Sequence, residues 1–360
     1  MNIVFVTNTI NQNGGIERVI SSLSNYFIEK LNHSVDIISV HSKKENCCFS
    51  LNKKINVNNL GVEFQKKNNL KSRILKTKEI NKKIKQILNK KDYDIIITFQ
   101  TTISNAILFN RKNLKGKIIV TEHVNHKCYG KIRHILNIIN YRKADRMIVL
   151  TESDKKFYSR FLKSVEQIPN PISFTNNKYP NYNNKRIISV GRLEEVKGFD
   201  YLIDSFHLIY SQYPEWSLHI VGDGTQKQIL EERIKKYNLE GRVVIESFTN
   251  EIRDKYLESS IYALSSRFEG FSLVTLEAMN CGLPIVSFDI DAPMEILKDG
   301  EDSLITESFN IDDFAKKLSL FMDSKEKREA SGKKAKKNVQ KYDIYNVGLK
   351  WKILFDEINK

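Results

Sequence analysis

Cysteine is scarce in this 360-residue chain, and long apolar runs are missing. The four cysteines, Cys47, Cys48, Cys128 and Cys281, show neither CxxC spacing nor a secretory context, which argues against a disulfide framework and against metal binding by thiolates. No apolar segment reaches the ~18 residues that a membrane helix needs. The first residues, MNIVFVTNTI, lack the charged region and the cleavage site of a signal peptide. We therefore expect reduced thiols and a cytoplasmic protein.

Acidic residues are also scarce, but only in the first half of the chain. The net charge is +15 overall, +18 over residues 1–170 and −3 over the rest. The densest segment, residues 65–91, has eleven basic residues and one acidic residue, Glu79. Its apolar residues recur at helical spacing, which predicts a basic amphipathic helix that could lie on anionic lipid or be a solvated surface helix. The residues assigned to a membrane or acceptor patch are Lys66, Lys67, Lys71, Arg73, Lys82 and Lys83.

Nucleic-acid-binding features are missing despite the positive charge. Aromatic residues are not interleaved with the lysines, and no nucleic-acid-binding motif occurs. The dinucleotide fingerprint GxGxxG is absent as well, since NQNGGIERVI has only two adjacent glycines. We expect no nucleic acid partner.

Short Val- and Ile-rich runs alternate with segments of helical periodicity. They form two series, at residues 2–8, 34–40, 93–99, 116–122 and 146–152, and at residues 186–192, 217–223, 242–247, 261–266 and 284–289. Non-alternating apolar strands between helices predict parallel sheets covered on both faces. The fold class is therefore α/β, with two doubly wound, Rossmann-like domains and a ligand cleft between them.

The domain limits follow from a Pro- and Asn-rich stretch without periodicity, residues 168–185, which predicts a linker. We assign residues 1–168 to the first domain and residues 169–342 to the second. The last helical stretch, residues 343–360, carries Trp351 and is expected to pack back on the first domain.

Ligands of doubly wound sheets bind beyond the carboxyl ends of the strands, so the residues that follow each strand matter. Gly14 and Gly15 lie where a loop enters a helix, whose free N–H groups favour an anion. Arg192 and Lys197 flank a loop that opens another helix, and two cations there would suit a diphosphate. Each feature also has a plain structural explanation, a flexible loop in the first case and surface charges paired with neighbouring glutamates in the second.

Histidines follow a third strand end. The segment TEHVNH contains His123 and His126, and a histidine there can be a general base, a hydrogen-bond partner or a structural residue. We favour His123, which is nearer the strand end.

Two carboxylates, Glu269 and Glu277, lie between two apolar strands in SSRFEGFSLVTLEAMNCGLPIV, residues 265–286. A buried carboxylate is costly unless something pairs with it, so both are candidate ligand-binding groups. A helix is predicted to start near Ser272, a suitable capping residue, and to end at Gly282. Its first N–H groups would suit a phosphate, and the carboxylates would suit sugar hydroxyls.

In this order, the motifs resemble the retaining nucleotide-sugar glycosyltransferases of the GT-B fold, glycosyltransferase family 4 (glycosyl transferases group 1). The resemblance covers most of the chain. The matching segments are NGGIER (13–18), TEH (121–123), ADRMIVLTES (144–153), IPNPI (168–172), SVGRLEEVKGFDYLI (189–203), HIVGDG (219–224) and FEGFSLVTLEAMNCGLPIV (268–286).

The resemblance implies a metal-independent hexosyl or N-acetylhexosaminyl transferase without a cofactor. The first domain would bind a glycan acceptor and the second a nucleotide diphosphate sugar, such as UDP-GalNAc, UDP-Gal, UDP-GlcNAc or UDP-Glc. With the basic first half, it suggests a lipid-linked acceptor in bacterial surface polysaccharide biosynthesis. The enzyme would then be peripheral at an anionic inner membrane.

The resemblance also implies roles for single residues. Glu277 would accept from the ribose, Arg192 and Lys197 would neutralise the diphosphate, and His123 would contact the sugar near its anomeric carbon. The implied catalytic residues are Glu269, His123, Arg192 and Lys197. The implied donor-binding residues are Gly14, Gly15, Arg192, Lys197, Glu269, Gly270, Phe271, Ser272, Leu273, Val274 and Glu277.

Two features depart from the family pattern. Asp289 and Asp291 look like the DxD motif of metal-dependent glycosyltransferases, although the rest of the chain matches the metal-free type. Glu295 matches a family position without the usual glycines. A GT-B relative with epimerase or phosphorylase chemistry is the remaining alternative.

Overall fold

The computed structural model describes residues 1–42, 47–63 and 70–359. They form two units, which we call unit 1 (Met1–Ser173 with Ile344–Lys360) and unit 2 (Phe174–Asp343). The division lies a few residues beyond the limit at residue 168 that the sequence predicts.

Each unit contains one parallel sheet. The strands of unit 1 are β1 (Asn2–Thr7), β2 (Ser34–Ser39), β3 (Asn56–Asn59), β4 (Ile95–Phe99), β5 (Lys117–Glu122), β6 (Arg146–Val149) and β7 (Val165–Gln167). The strands of unit 2 are β8 (Arg186–Val190), β9 (Ser217–Val221), β10 (Val243–Glu246), β11 (Ile261–Leu264), β12 (Ile285–Phe288) and β13 (Ser303–Thr306). Their spatial orders are β3-β2-β1-β4-β5-β6-β7 and β10-β9-β8-β11-β12-β13, with every pairing parallel. The predicted α/β class with two doubly wound sheets is confirmed.

Helices connect and flank these strands. In unit 1 they are α1 (Gly15–Glu29), α2 (Leu70–Leu88), α3 (Thr101–Phe109), α4 (Lys131–Tyr141) and α5 (Glu152–Tyr158). In unit 2 they are α6 (Phe199–Ile209), α7 (Lys227–Lys236), α8 (Ile252–Leu257), α9 (Leu273–Asn280), α10 (Asp291–Ile296), α11 (Ile311–Asp323) and α12 (Lys325–Asn338). Helix α13 (Ile344–Ile358) returns to unit 1. Among the described residues, no helix combines the length and apolarity needed to cross a membrane.

The central strands are buried along most of their length. Residues 3–6 of β1 and 261–263 of β11 have no exposed surface. Since their side chains alternate between the two faces of the sheet, both faces must be covered by other elements. This explains why these strands read as continuous apolar runs.

Three strands lie outside the predicted runs: β3, β7 and β13. Each is at an edge of its sheet and pairs on one side only. Edge strands in proteins are short and carry polar residues, as NVNN of β3 and VEQ of β7 do. The apolar pattern that identifies a central strand is therefore missing from them.

Helix α13 packs on α1. The ring centroid of Phe27 in α1 lies 5.8 Å from that of Trp351 and 5.1 Å from that of Phe355, and all three side chains are buried. A side chain at Gly348 would collide with the ring of Tyr26, so the close approach of the two helices requires glycine there.

Candidate functional site

The strand order of unit 2 reverses between β8 and β11. Loops that leave the carboxyl ends of two such strands flank a crevice where doubly wound sheets bind ligands. The segment after β8 contains Arg192 and Lys197, and the segment after β11 contains Glu269. The topology thus brings the predicted cationic and acidic motifs to one edge of the sheet, although 72 positions separate Lys197 from Glu269.

Lys197 and Glu269 form a direct ion pair. Nζ of Lys197 lies 2.8 Å from Oε1 of Glu269, and Ser266 Oγ donates a 2.7 Å hydrogen bond to the same oxygen. The side chains are 18% and 8% exposed, so each charge is largely withdrawn from water and depends on the other. Oε2 of Glu269 has no partner in the described part of the chain and can accept from a ligand.

The turn that carries Lys197 is held against the segment after β11. It ends at Gly198 with φ of +60°, where a side chain would collide with the carbonyl oxygen of Ser265. The backbone N–H of Arg267 donates to the carbonyl oxygen of Val196 at 2.8 Å, and its guanidinium pairs with both carboxylate oxygens of Asp200 at 2.6 and 2.8 Å. These contacts fix Lys197 opposite Glu269.

Glu277 is also buried, in the second turn of α9 as predicted. Its Oε2 accepts a 3.2 Å hydrogen bond from the hydroxyl of Tyr256. Burial, together with the negative charges of Glu269 and Glu277, raises the pKa of the neighbouring Tyr262 well above its ordinary value. Both carboxylates therefore lie close to the same buried tyrosine.

The start of α9 provides free backbone donors. The five N–H groups from Gly270 to Val274 make no hydrogen bond within the described residues, and they precede the first amide that is bonded inside the helix, that of Thr275. Such amides and the positive end of the helix dipole favour an anion. This agrees with the implied role of Gly270, Phe271, Ser272, Leu273 and Val274 in donor binding, which stays a prediction.

The capping role predicted for Ser272 is wrong. Ser272 is the residue before the helix, but its hydroxyl bonds to the hydroxyl of Thr275 at 2.7 Å and caps no backbone N–H. Its φ of +54° is in the left-handed region, which costs a residue with a side chain about 1 kcal/mol or more. The end of α9 is as predicted: Gly282, with φ of +78°, and Leu283 donate back to the carbonyls of Met279 and Ala278.

Arg192 is exposed and has no side-chain partner among the described residues. The alternative in which neighbouring glutamates neutralise these cations does not hold, because Glu194 instead accepts from the hydroxyl of Thr225 at 2.9 Å and Lys197 pairs with Glu269. Arg192 is thus a free cation a few residues from the paired one.

In unit 1, His123 follows β5 and lines a small cavity with Phe99 and Trp351. The hydroxyl of Thr121 donates to the carbonyl oxygen of Thr98 at 2.8 Å, so it can only accept the 3.0 Å hydrogen bond from Nε2 of His123. Nδ1 is then the unprotonated nitrogen, and it is buried without a partner among the described residues. Burial lowers the pKa of His123 to about 4, so the ring is a neutral hydrogen-bond acceptor near pH 7.

His126 has a structural environment. Its Nδ1 lies 2.7 Å from Oδ1 of Asp154, its backbone N–H donates to the same oxygen, and its ring stacks on Phe157 with centroids 4.2 Å apart. Since these contacts occupy the side chain, the geometry favours His123 over His126 as a ligand-binding residue.

Gly14 and Gly15 begin α1, as the sequence indicates. The buried carboxylate of Glu17 lies against Gly14, in the space that a side chain at Gly14 would need. An acidic group therefore already lies beside this helix start, and its negative charge disfavours an anion there. The role of both glycines stays a prediction.

The predicted basic patch is only partly described. Lys66 and Lys67 lie outside the described residues, and Lys71 and Arg73 belong to α2. In the second half of α2, Lys82 is exposed, whereas Nζ of Lys83 pairs with Glu79 at 3.1 Å and donates to the carbonyl oxygen of Leu60 at 3.3 Å. The helix predicted over residues 65–91 exists from Leu70 to Leu88.

The acidic residues of the DxD-like segment are separated by the local structure. Asp289 lies between β12 and α10, Asp291 is the first residue of α10, and Glu295 belongs to the same short helix. The described residues contain no group of three or more acidic, histidine or cysteine side chains placed to hold a metal ion.

Several residues that hold the candidate site residues in place were not predicted from the sequence. Ser266 bonds to Glu269, and Tyr256 bonds to Glu277. In unit 1, the buried Glu122 accepts from the hydroxyls of Tyr141 and Tyr129 at 2.9 and 3.0 Å. Burial raises the pKa of Glu122. The adjacent serines in SSRFEG were a visible signal for Ser266, whereas nothing local in the sequence connects the tyrosines to their partners.

Two family models match the chain. Residues 173–338 match the model described as Glycosyl transferases group 1. Residues 13–175 match the model described as Glycosyltransferase Family 4. Together they span both units.

Relatives match over nearly the full length. An uncharacterized glycosyltransferase of Haemophilus influenzae is 30% identical over 97% of this chain and 98% of its own length. The GalNAc-α-(1→4)-GalNAc-α-(1→3)-diNAcBac-PP-undecaprenol α-1,4-N-acetyl-D-galactosaminyltransferase of Campylobacter jejuni is 26% identical over 99% of both chains.

Solved structures agree on the architecture. Sucrose-phosphate synthase from Thermosynechococcus elongatus superposes with a TM-score of 0.84 at 16% identity and covers 99% of both chains. S. aureus TarM, solved in complex with Fondaparinux, alpha-GlcNAc-glycerol and UDP, gives a TM-score of 0.80 at 17% identity over 99% of this chain and all of that one. At these identities the likeness shows the fold, which is GT-B.

Proposed function

The chain belongs to the glycosyltransferases of group 1 and family 4, and from this premise we propose that it is a retaining enzyme that moves a sugar from a UDP-sugar to a lipid-linked glycan. The donor would be UDP-GalNAc, UDP-Gal, UDP-GlcNAc or UDP-Glc. The observation that carries the proposal is the ion pair of Lys197 with Glu269 at the switch point of unit 2, beside five free backbone N–H groups.

The donor would bind along this edge of unit 2. Its diphosphate would lie against Arg192, Lys197 and the free N–H groups of residues 270–274, because cations and a helix start both favour a polyanion. The unpartnered Oε2 of Glu269 would accept from a sugar hydroxyl. Glu277 would accept from the ribose hydroxyls, since a carboxylate can bind two of them.

The reaction breaks the bond between the anomeric carbon and the diphosphate oxygen, and the bonding electrons leave with UDP. An acceptor hydroxyl oxygen bonds to that carbon, and its proton goes to the departing phosphate. Negative charge therefore develops on the leaving group, where Arg192 and Lys197 would stabilise it without a metal ion. In unit 1, we propose the unprotonated Nδ1 of His123 as a hydrogen-bond acceptor for a sugar hydroxyl.

The acceptor side is proposed from charge. Unit 1 contains the basic first part of the chain, which suits an acceptor that carries a lipid diphosphate. The Campylobacter relative, whose name includes PP-undecaprenol, supports an acceptor of this class. We propose the same chemistry here, in bacterial surface polysaccharide assembly, with the enzyme peripheral at the inner membrane.

Thermal unfolding with nucleotides tests the proposal. UDP and one of the four UDP-sugars should raise Tm, and GDP and ADP should not. The increase should persist in EDTA, because cations of the protein replace a metal ion. The best UDP-sugar is then used in a transfer assay with an undecaprenyl-diphosphate-linked glycan. A Tm that no nucleotide changes would contradict the donor assignment, and an increase that EDTA abolishes would contradict metal independence.

A further inference from the structure

Helix α4 presents an apolar face to solvent. Ile132, Ile135, Leu136 and Ile139 are 78%, 59%, 58% and 52% exposed. The spacing i, i+3, i+4, i+7 places all four side chains on one side of the helix. A surface helix of a globular protein normally turns such a stripe toward the core, so the outward stripe needs a different partner.

The orientation of α4 is fixed by its opposite side. Ile138 and Tyr141 are buried there, and two asparagines are hydrogen-bonded to α3. The amide of Asn105 in α3 donates to Asn137 at 2.8 Å and accepts from Asn140 at 3.1 Å. Because a rotation of α4 that hid the isoleucines would break these bonds, the apolar stripe is a stable feature of the folded unit.

Cations surround the stripe. Lys131, Arg133, Arg142 and Lys143 are all exposed, and no acidic residue occurs between Glu122 and Asp145. An apolar stripe flanked by lysine and arginine complements a surface of anionic headgroups above acyl chains. Self-association through a two-fold axis would instead bring the same four cations of two copies together.

We propose that α4 is an interfacial helix that docks unit 1 on an anionic lipid bilayer. The four apolar side chains enter the boundary between headgroups and acyl chains, and the flanking cations contact lipid phosphates. The proposed membrane contact therefore lies on α4. The inference rests on the proposed function only for the expectation that the acceptor is carried by a lipid.

Co-sedimentation of the full chain with vesicles tests this docking. The wild type should bind vesicles of mixed phosphatidylcholine and phosphatidylglycerol. It should bind vesicles of phosphatidylcholine alone much more weakly. The variant Ile132→Ser/Ile135→Ser/Ile139→Ser should bind the mixed vesicles at least about tenfold more weakly. A matched control, Leu208→Ser/Ile229→Ser in unit 2, removes apolar side chains that are 47% and 52% exposed and should bind like the wild type.

Two charge variants separate the helices. Lys131→Glu/Arg133→Glu should remove the preference for phosphatidylglycerol, and Lys82→Glu/Lys85→Glu in α2 should preserve it. An unchanged Tm will show that each variant is folded. If the triple variant does not fold, Ile132→Ser alone replaces it in the vesicle assay. UDP-induced stabilisation is measured in parallel, so that loss of docking and failure of the donor assignment are distinguishable.

Three results would overturn the proposal. The first is that the wild type does not bind mixed vesicles, and the second is that the triple variant binds them as tightly as the wild type does. The third is that the wild type is a dimer in sedimentation velocity, that the triple variant is a monomer, and that neither binds vesicles. The stripe would then be a contact between two copies of the chain.

Discussion

Nζ of Lys197 and Oε1 of Glu269 are 2.8 Å apart, although the two residues leave different strands of unit 2. The pair joins the only two loops that the strand order of a doubly wound sheet brings together at its reversal. Within that arrangement, the lysine and the glutamate pair directly in a site that is largely closed to water.

Removing one member of this pair should cost more than removing both. Lys197→Met and Glu269→Gln should each lower the free energy of unfolding by about 2–3 kcal/mol, because each leaves a buried group without its partner. The double variant should lose clearly less than the sum, as measured by urea unfolding of all four proteins in a double-mutant cycle. The exposed pair Arg253 and Asp254 is the control, and its removal should cost at most about 1 kcal/mol. Strict additivity at Lys197 and Glu269 would show that the pair does not stabilise the fold.

Glu277→Gln should weaken UDP binding by roughly 10- to 100-fold. The amide keeps one acceptor oxygen but loses the charge, and a hydrogen bond to a charged group contributes about 1.5–3 kcal/mol. Isothermal titration calorimetry with UDP measures the change, and Glu231→Gln on the exposed side of α7 is the matched control. Unchanged affinity in Glu277→Gln would remove this residue from the donor site.

Much of this site was predictable from the sequence because parallel sheets obey simple rules. Lys197, Glu269 and Glu277 could be assigned to one sheet edge from the strand series alone, since the carboxyl ends of parallel strands share an edge. The pairing of Ser272 with Thr275 was not predictable, because the left-handed backbone of Ser272 depends on the packing around it. Tertiary contacts decide such details, and no local pattern records them.

The orientation of α4 was also not predictable from the sequence. The apolar residues of α4 follow the pattern of a core-facing helix, and only its neighbours decide that they point outward. The bonds of Asn105 to Asn137 and Asn140 link segments more than thirty positions apart. Periodicity identifies the helix and its stripe, but it cannot tell which side is buried.

Acid should destabilise unit 1 through His123. The pKa of this ring is about 4 in the folded protein and 6.5 in a free histidine. Between these values the unfolded chain binds a proton that the folded chain does not. The contribution of His123 to the free energy of unfolding is therefore constant above pH 6.5 and falls as the pH is lowered from 6.5 toward 4. The loss from this one residue should be up to about 3 kcal/mol.

Thermal unfolding of the wild type and of His123→Gln across this pH range measures the effect. Glutamine is neutral throughout this range, so only the wild type loses stability through protonation of residue 123. The difference in Tm between the wild type and His123→Gln should therefore narrow as the pH falls. Parallel curves would mean that His123 takes up its proton without cost in the folded state.

Gly198→Ala should impair both stability and transfer. The residue has a φ of +60°, and the added methyl group would collide with the carbonyl oxygen of Ser265. We expect a loss of about 2–4 kcal/mol, with displacement of the adjacent Lys197. Gly300→Ala is the matched control, because its φ of +72° is similar but the space around it is open, so that only about 1 kcal/mol should be lost. The Tm and the transfer rate of both variants measure the effect. Equal losses in Gly198→Ala and Gly300→Ala would mean that the contact with Ser265 is unimportant.

The return of α13 to unit 1 has a consequence for biosynthesis. Unit 2 is continuous in sequence and can close as soon as residue 343 has left the ribosome, whereas the side of α1 that carries Phe27 stays uncovered until α13 has been translated. The first unit to be synthesised is therefore the last to be completed, and its nascent form exposes aromatic surface while the second unit is still being made. Ribosome-bound chains that end before α13 should accordingly depend on chaperones more than the finished protein does.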